Sequence, residues 1–184
     1  MNPAPALVLL SVAALLTSCG SDPTSSGGLG AELAGSSGPS ASGHIERDIE
    51  GCCLEKYSFN AHYLGDGSVH GRFNVRDIFA DGSEKIVAKG RVTCFTVEAD
   101  GKTARMGGVV ESGSDPGFVG TEAVWTVRDN GEGTKDPPDQ GTDLRWGLLD
   151  PDFDFAPFHC AVGFPPDDFG TFGLSGRGNV QVKP

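Results

Sequence analysis

Tyr57-Ser58-Phe59-Asn60-Ala61-His62-Tyr63-Leu64-Gly65-Asp66-Gly67-Ser68-Val69-His70-Gly71-Arg72-Phe73-Asn74-Val75 is the stretch on which the fold turns. Tyr57, Phe59, Ala61 and Tyr63 alternate with Ser58, Asn60 and His62, the period of a half-buried strand, and the period resumes with Val69, Gly71, Phe73 and Val75 against His70, Arg72 and Asn74. Between the runs, Gly65-Asp66-Gly67 suits a three-residue hairpin loop with Gly67 in the left-handed region. That loop length sets a register: Leu64 opposite Ser68, Tyr63 opposite Val69, Phe59 opposite Phe73 and Tyr57 opposite Val75. A two-residue loop would place apolar residues against polar ones.

Working outward, a strand is expected from Lys85 to Ala99, followed by Asp100-Gly101 as a two-residue type I′ turn that brings Phe95 and Val97 to face Ala104 and Met106. The chain returns from Lys102 to Glu111, turns through Ser112 to Gly117, and runs out from Phe118 to Asp129 with Val119, Ala123, Trp125 and Val127 on one face. Leu144 to Leu149 is a short strand, and Phe172 to Val182 a last one. The segment from Asp150 to Gly170 reads as irregular, apart from extended residues around His159-Cys160-Ala161-Val162. Asp150, Asp152 and Asp154 alternate with Phe153 and Phe155 there as an edge segment would.

No window carries a sustained helical period, so the fold class is all-β, an antiparallel meander of about eight strands. Such a sheet hides its edges by curling into a barrel or folding over as a β-sandwich. Ser42-Gly43-His44-Ile45 at the start and Gly176-Arg177-Gly178-Asn179-Val180 at the end can pair as first and last strands, with glycines to absorb the bending. We therefore read a small closed or nearly closed barrel.

Ahead of the domain, an apolar run from Ala4 to Leu16 ends in Leu16-Thr17-Ser18-Cys19, similar to the bacterial lipobox, in which cleavage precedes a cysteine that then carries lipid. Met1-Asn2-Pro3 offers only the α-amino group where such signals usually carry Lys or Arg. The run is shorter than the roughly 18 residues that suggest a membrane-spanning helix. Residues 1–18 are thus expected as a lipoprotein signal peptide and 19–43 as lipidated Cys19 with a Gly/Ser tether, because that stretch cannot bury enough apolar surface to order itself. Residues 44–184 form the single β-rich domain. The expected location is the bacterial cell membrane or outer membrane, with the membrane as partner through the lipid.

With 25 acidic against 14 basic residues, the net charge of −11 argues against nucleic-acid partners. It leaves an unknown protein or small molecule as ligand. Beyond Cys19 the cysteines are Cys52, Cys53, Cys94 and Cys160, an even set that in an exported domain reads as disulfides. Neighbouring Cys52 and Cys53 can close a strained ring beside a Cys94–Cys160 bond, or each can cross to one of the distant pair. A zinc site ranks below both, since no second close Cys or His pair is in register.

Two metal candidates arise. The Gly-kinked loop bearing Asp129, Asn130, Glu132, Asp136 and Asp139 offers the oxygen ligands that calcium takes, although its order is not that of an EF-hand, and a solvated acidic loop is the plainer reading. The hairpin register also sets His62 opposite His70 on the polar face, a pair that would need a third ligand to hold a transition metal. No nucleophile elbow, zinc-protease helix, P-loop or dinucleotide fingerprint appears, so catalytic residues are not assigned. The readings are a lipid-anchored envelope protein with a binding or structural barrel, a calcium-binding version of it, or a small-barrel enzyme or carrier with an apolar ligand inside. That last reading fails if Phe59, Phe73 and Trp125 pack the interior solid.

The stretches Asp66-Gly67-Ser68-Val69-His70-Gly71, Gly90-Arg91-Val92-Thr93-Cys94, Asp129-Asn130-Gly131-Glu132-Gly133 and Pro137-Pro138-Asp139 resemble a group of uncharacterised exported bacterial β-rich proteins. The resemblance covers most of the domain and implies no activity. It implies that Cys94 and Cys160 belong together and that Cys52-Cys53 is an addition, which favours a vicinal pair or two free thiols over the crossed scheme.

Overall fold

The structure, a computed structural model, describes residues 38–147, 153–164 and 175–184. Cys19, residues 1–18, the tether as far as 37, and Asp150 and Asp152 lie outside the described residues. The strands are β1 (Ser40–Ile49), β2 (Cys53–Tyr63), β3 (Val69–Phe79), β4 (Glu84–Val97), β5 (Thr103–Gly113), β6 (Glu122–Arg128), β7 (Asp139–Gly141), β8 (Arg145–Trp146) and β9 (Ser175–Lys183). One helix, α1 (Phe155–Ala161), lies between β8 and β9. Hydrogen-bonded neighbours run β1-β2-β3-β4-β5-β6-β7-β9 and return to β1, all antiparallel, which closes an eight-stranded barrel with β8 added on β6. The barrel reading is correct and the sandwich is not.

The opening hairpin has the expected register, with Tyr63 opposite Val69, Phe59 opposite Phe73 and Tyr57 opposite Val75. Its loop recurs. In the β2–β3 and β3–β4 hairpins, Asp66 and Asp81 each accept from the backbone N–H and hydroxyl of the serine two residues on, and Gly67 and Gly82 take positive φ. The β4–β5 connection departs from the type I′ expectation. Glu98 pairs with Thr103 across Ala99 to Lys102, and Gly101 N–H donates to Glu98. The physical reason is Asp100, whose carboxylate captures Lys102 N–H, Thr103 N–H and the Thr103 hydroxyl, holding a wider loop without changing which residues face each other. Phe95 stands opposite Met106 and Val97 opposite Ala104.

Other boundaries move. β1 begins at Ser40, ahead of the expected domain start at His44, because Ser40 to Gly43 pair with both β2 and β9. β6 begins at Glu122 rather than Phe118; a 3-10 turn over Pro116–Phe118 comes first and Val119 is exposed. His159 and Cys160, expected as extended, are helical. Ala156, His159 and Cys160 fall at the i, i+3, i+4 spacing of one helix face, and that face is buried against the barrel wall. Pro157 sits in the first turn, where no intrahelical N–H is required.

The interior is solid. Phe59, Phe73 and Trp125 are buried, with the Trp125 ring 6.3 Å from Phe59 and 5.2 Å from Phe73, and Phe95, Met106, Val75, Val110 and Val127 fill the space around them. Glycines make the room: a Cβ at Gly90 or Gly108 would fall on the Phe73 ring and on the neighbouring strand. Register shifts at Val75/Arg76, Lys89/Gly90 and Val92/Cys94 concentrate the bending in β3 and β4. We expect Gly108→Ala to cost about 2 kcal/mol through overpacking. Urea unfolding measures it, and a loss well under 1 kcal/mol would mean that the Arg91 backbone and the Phe73 ring can both give way.

Candidate functional site

Each strand of β1 to β3 sends alternate residues inward, and the unbroken register aligns them in rows. Ile45, Tyr57 and Val75 form one buried row. The next row toward the barrel mouth is Arg47, Glu55 and Asp77, with Lys85 of β4 opposite Asp77. Beyond it, at the rim, stand Ile49, Cys53 and Phe79, all half-buried. A charged layer is thus enclosed between an apolar floor and an apolar rim.

The layer is completed by the chain after β7. Arg47 lies 3.4 Å from Asp143 and donates from Nε to the Ser175 hydroxyl, Arg145 approaches Asp143 from its other side at 3.7 Å, and the Tyr57 hydroxyl donates to the Thr142 carbonyl. Glu55 is only 9% exposed, and its Oε1 has no hydrogen-bond partner among the described residues. Burial pushes its carboxyl up to about 7, helped by Asp143 and opposed by Arg47, with Asp77 adding to the rise. Burial likewise raises the Asp77 carboxyl, against Lys85, and the Tyr57 phenol. An enclosed carboxyl that titrates near neutrality beside charged partners is the combination found at binding and catalytic sites. A cleft of about 300 Å³ lies along β1 and β9, lined by Glu46, Asp48, Leu54 and Arg177 together with Arg47 and Ser175; Glu55 and Asp77 are not part of its lining.

Sequence reasoning missed this row. Tracing the strand from Tyr57 and its partner as far as Val75 left Glu55 and Asp77 outside the alternation. Carrying the period one step further on β1, β2 and β3 puts a charge at an inward position each time, and that was the available signal.

The residues expected to bind calcium do other work. Asp139 is buried, with Oδ1 accepting from Asn130 N–H at 2.7 Å and Oδ2 from Val180 N–H at 2.6 Å. Asp129 accepts from Gly131 N–H and Val182 N–H, Asp136 accepts from Gly133 N–H, and the Asn130 side chain donates to the Pro138 carbonyl. Glu132 points to solvent from the exposed tip of the loop. Three-residue β7 has little ladder of its own, and the two aspartates extend it to β9 with side-chain acceptors. His62 and His70 do stand opposite each other on the outer face, ring centres 5.7 Å apart. Among the described residues, no three or more His, Cys, Asp or Glu side chains converge as a metal-binding group.

Cys94 pairs with Cys160 and Cys52 with Cys53. The first pair staples α1 to the outside of β4, where Gly107 lets Ala156 approach closely. Under the helix, His159 is fully buried with Nε2 3.2 Å from the Trp125 carbonyl, so Nε2 carries the hydrogen and donates; burial lowers its pKa to about 4. The vicinal pair lies at the β1–β2 tip, on the rim above Glu55. No protein-family profile, curated protein or solved structure matches this chain.

Proposed function

We propose that this chain is a lipid-anchored protein of a bacterial cell envelope whose solid β-barrel, held off the membrane by a Gly/Ser tether, binds a ligand at the Glu55 mouth. The observation that carries the binding half is the buried Glu55 carboxyl with its unanswered Oε1, because a polar atom so enclosed normally has a partner. The filled interior around Trp125 favours binding at the mouth over an apolar ligand carried inside. The anchor half is supported by Leu16-Thr17-Ser18-Cys19 and the polar stretch after it, and the cysteine pairs fit an oxidising compartment.

Two measurements test the proposal. The intact mass of the protein recovered from its host is expected to show cleavage before Cys19, a lipid adduct and two disulfides. An unmodified mass that retains residues 1–18 would overturn the anchor. Amide NMR of the chain titrated with a small-molecule extract of the cell envelope is expected to move signals of Arg47, Glu55 and Asp77. Shifts centred on Phe73 and Trp125 instead would return the ligand to the interior.

A further inference from the structure

We propose that the outer face of β1 to β4 is a docking trough for an acidic oligosaccharide, its carboxylates held by Lys56, Arg72, Arg76 and Lys89 and one of its hydroxyls donating to the buried Oδ1 of Asn74. This surface lies on the other side of the barrel wall from the Glu55 row and does not depend on it.

The trough follows from side-chain size. Residues that alternate with the buried rows point outward, and the registers set them side by side. His44, Ser58, Asn74 and Lys89 form one such row across four strands, a span of about 14 Å. Short Ser58 and Asn74 make its floor, while the flanking rows carry long side chains, Lys56 with Arg76 on one side and Arg72 with Arg91 on the other. Two clefts result, of about 420 Å³ and 170 Å³, and Ser58 and Asn74 belong to the lining of both.

The charge of that lining sets the sign of the ligand. Four cations, Lys56, Arg72, Arg76 and Lys89, line the clefts with one carboxylate, Glu46, which is bound to Lys56. Arg72 is paired with Glu111 at 3.2 Å and Arg76 with Glu84 at 2.7 Å, and both of those carboxylates stand outside the lining. Lys89 has no ion pair within 4.0 Å among the described residues. A positive trough on a chain of net charge −11 is a local feature, and it draws an anion to this face alone.

The floor adds a hydroxyl to the acid. Asn60 Oδ1 accepts from Arg72 N–H at 2.8 Å, but the Oδ1 of Asn74 is buried without a hydrogen-bond partner. A buried carbonyl oxygen normally has a donor, and an ionised carboxylate brings none. A sugar ring brings both, donating a hydroxyl to the floor while its acid group reaches a cation of the wall. A single-stranded nucleic acid would need exposed aromatic faces for its bases, and Tyr57, Phe59 and Phe73 beneath the trough are buried.

The test is an NMR titration of the full chain with trigalacturonate, with its uncharged counterpart galactotriose, and with glycerophosphoglycerol as a soluble anionic lipid headgroup. Trigalacturonate is expected to shift Ser58, Asn60, Asn74 and Lys89 saturably and to bind about tenfold tighter than galactotriose. Lys89→Gln, a change to an exposed side chain, is expected to weaken it about fivefold. Asn74→Asp, which keeps the shape of the floor but makes it acidic, is expected to weaken it about tenfold or more. No saturable shift in the trough, equal affinity for galactotriose, or unaltered binding by either variant would overturn the proposal. Tighter binding of glycerophosphoglycerol at the same residues would also overturn it, in favour of a membrane surface.

Discussion

Asp139→Ala is expected to lower the unfolding free energy by about 4 kcal/mol, because it leaves two backbone donors without their acceptor at the short strand that joins β6 to β9. β7 spans only Asp139–Gly141 and pairs with β6 through Gly141 and Gln140. On its other side the ladder to β9 pairs Asp139 with Gly178 and Gly141 with Ser175 across a register shift, and the Asp139 carboxylate carries the contact beyond the ladder, accepting from Asn130 N–H and Val180 N–H. Val180 is fully buried, so its N–H cannot turn to water once the carboxylate is gone. Asp139→Asn keeps one acceptor oxygen but aims an amide N–H at one of the two donors, and should fall between wild type and alanine. Urea denaturation followed by tryptophan fluorescence measures both. A loss below about 1 kcal/mol for alanine would mean that barrel closure does not depend on this carboxylate.

The second large effect is hidden in the native protein and exposed by Glu55→Gln. Folding raises the Glu55 carboxyl from 4.5 to about 7, so the folded chain holds a proton that the unfolded chain has released. The stability this gives is complete at pH values below 4.5 and is lost as pH rises through 7, a loss of about 3 kcal/mol. His159 works the other way. Folding lowers its pKa from 6.5 to about 4, so its contribution is complete above 6.5 and is lost, again by about 3 kcal/mol, as pH falls toward 4. Between pH 4.5 and 6.5 the two slopes oppose each other and the contribution of the pair is nearly level. Glu55→Gln removes one slope. The variant is expected to gain stability steadily from pH 4.5 to 6.5, where the wild type does not, and to exceed it by about 3 kcal/mol at pH 8. Parallel curves for the two proteins in chemical denaturation across this range would show that Glu55 ionises as it does in the unfolded chain.

The barrel was legible because its information is local. The alternation of Tyr57 to Tyr63 and Val69 to Val75, together with Gly65-Asp66-Gly67, specifies a register that the structure keeps residue for residue. Closure was legible from the glycines that both terminal strands place at positions of close approach, Gly43 and Gly178. The mouth was not, because charged residues at inward positions look in a sequence like the end of a strand rather than its continuation. Arg47, Glu55 and Asp77 acquire meaning only when three separate registers bring them side by side. The aspartates of the 129–139 loop were recognised as a group, but their backbone partners were not. Whether a carboxylate meets a cation or a backbone N–H depends on where β9, more than forty residues later, comes to lie. Helix α1 was hidden by its brevity, since seven residues are too few for a helical period to stand out from an aromatic-rich segment.

The pairing of β1 with β9 also governs the order of events when the chain folds. β1 to β6 are joined mostly by short connections and can assemble in sequence as each strand is made, because every contact they form is with a near neighbour. The outer edge of β1 has no such neighbour. From Ser40 to Glu46 its ladder waits for Arg177 to Lys183, and until those residues arrive the growing sheet carries an open edge able to pair with another copy of itself. The arrival of β9 is therefore the step that converts an adhesive sheet into a closed surface.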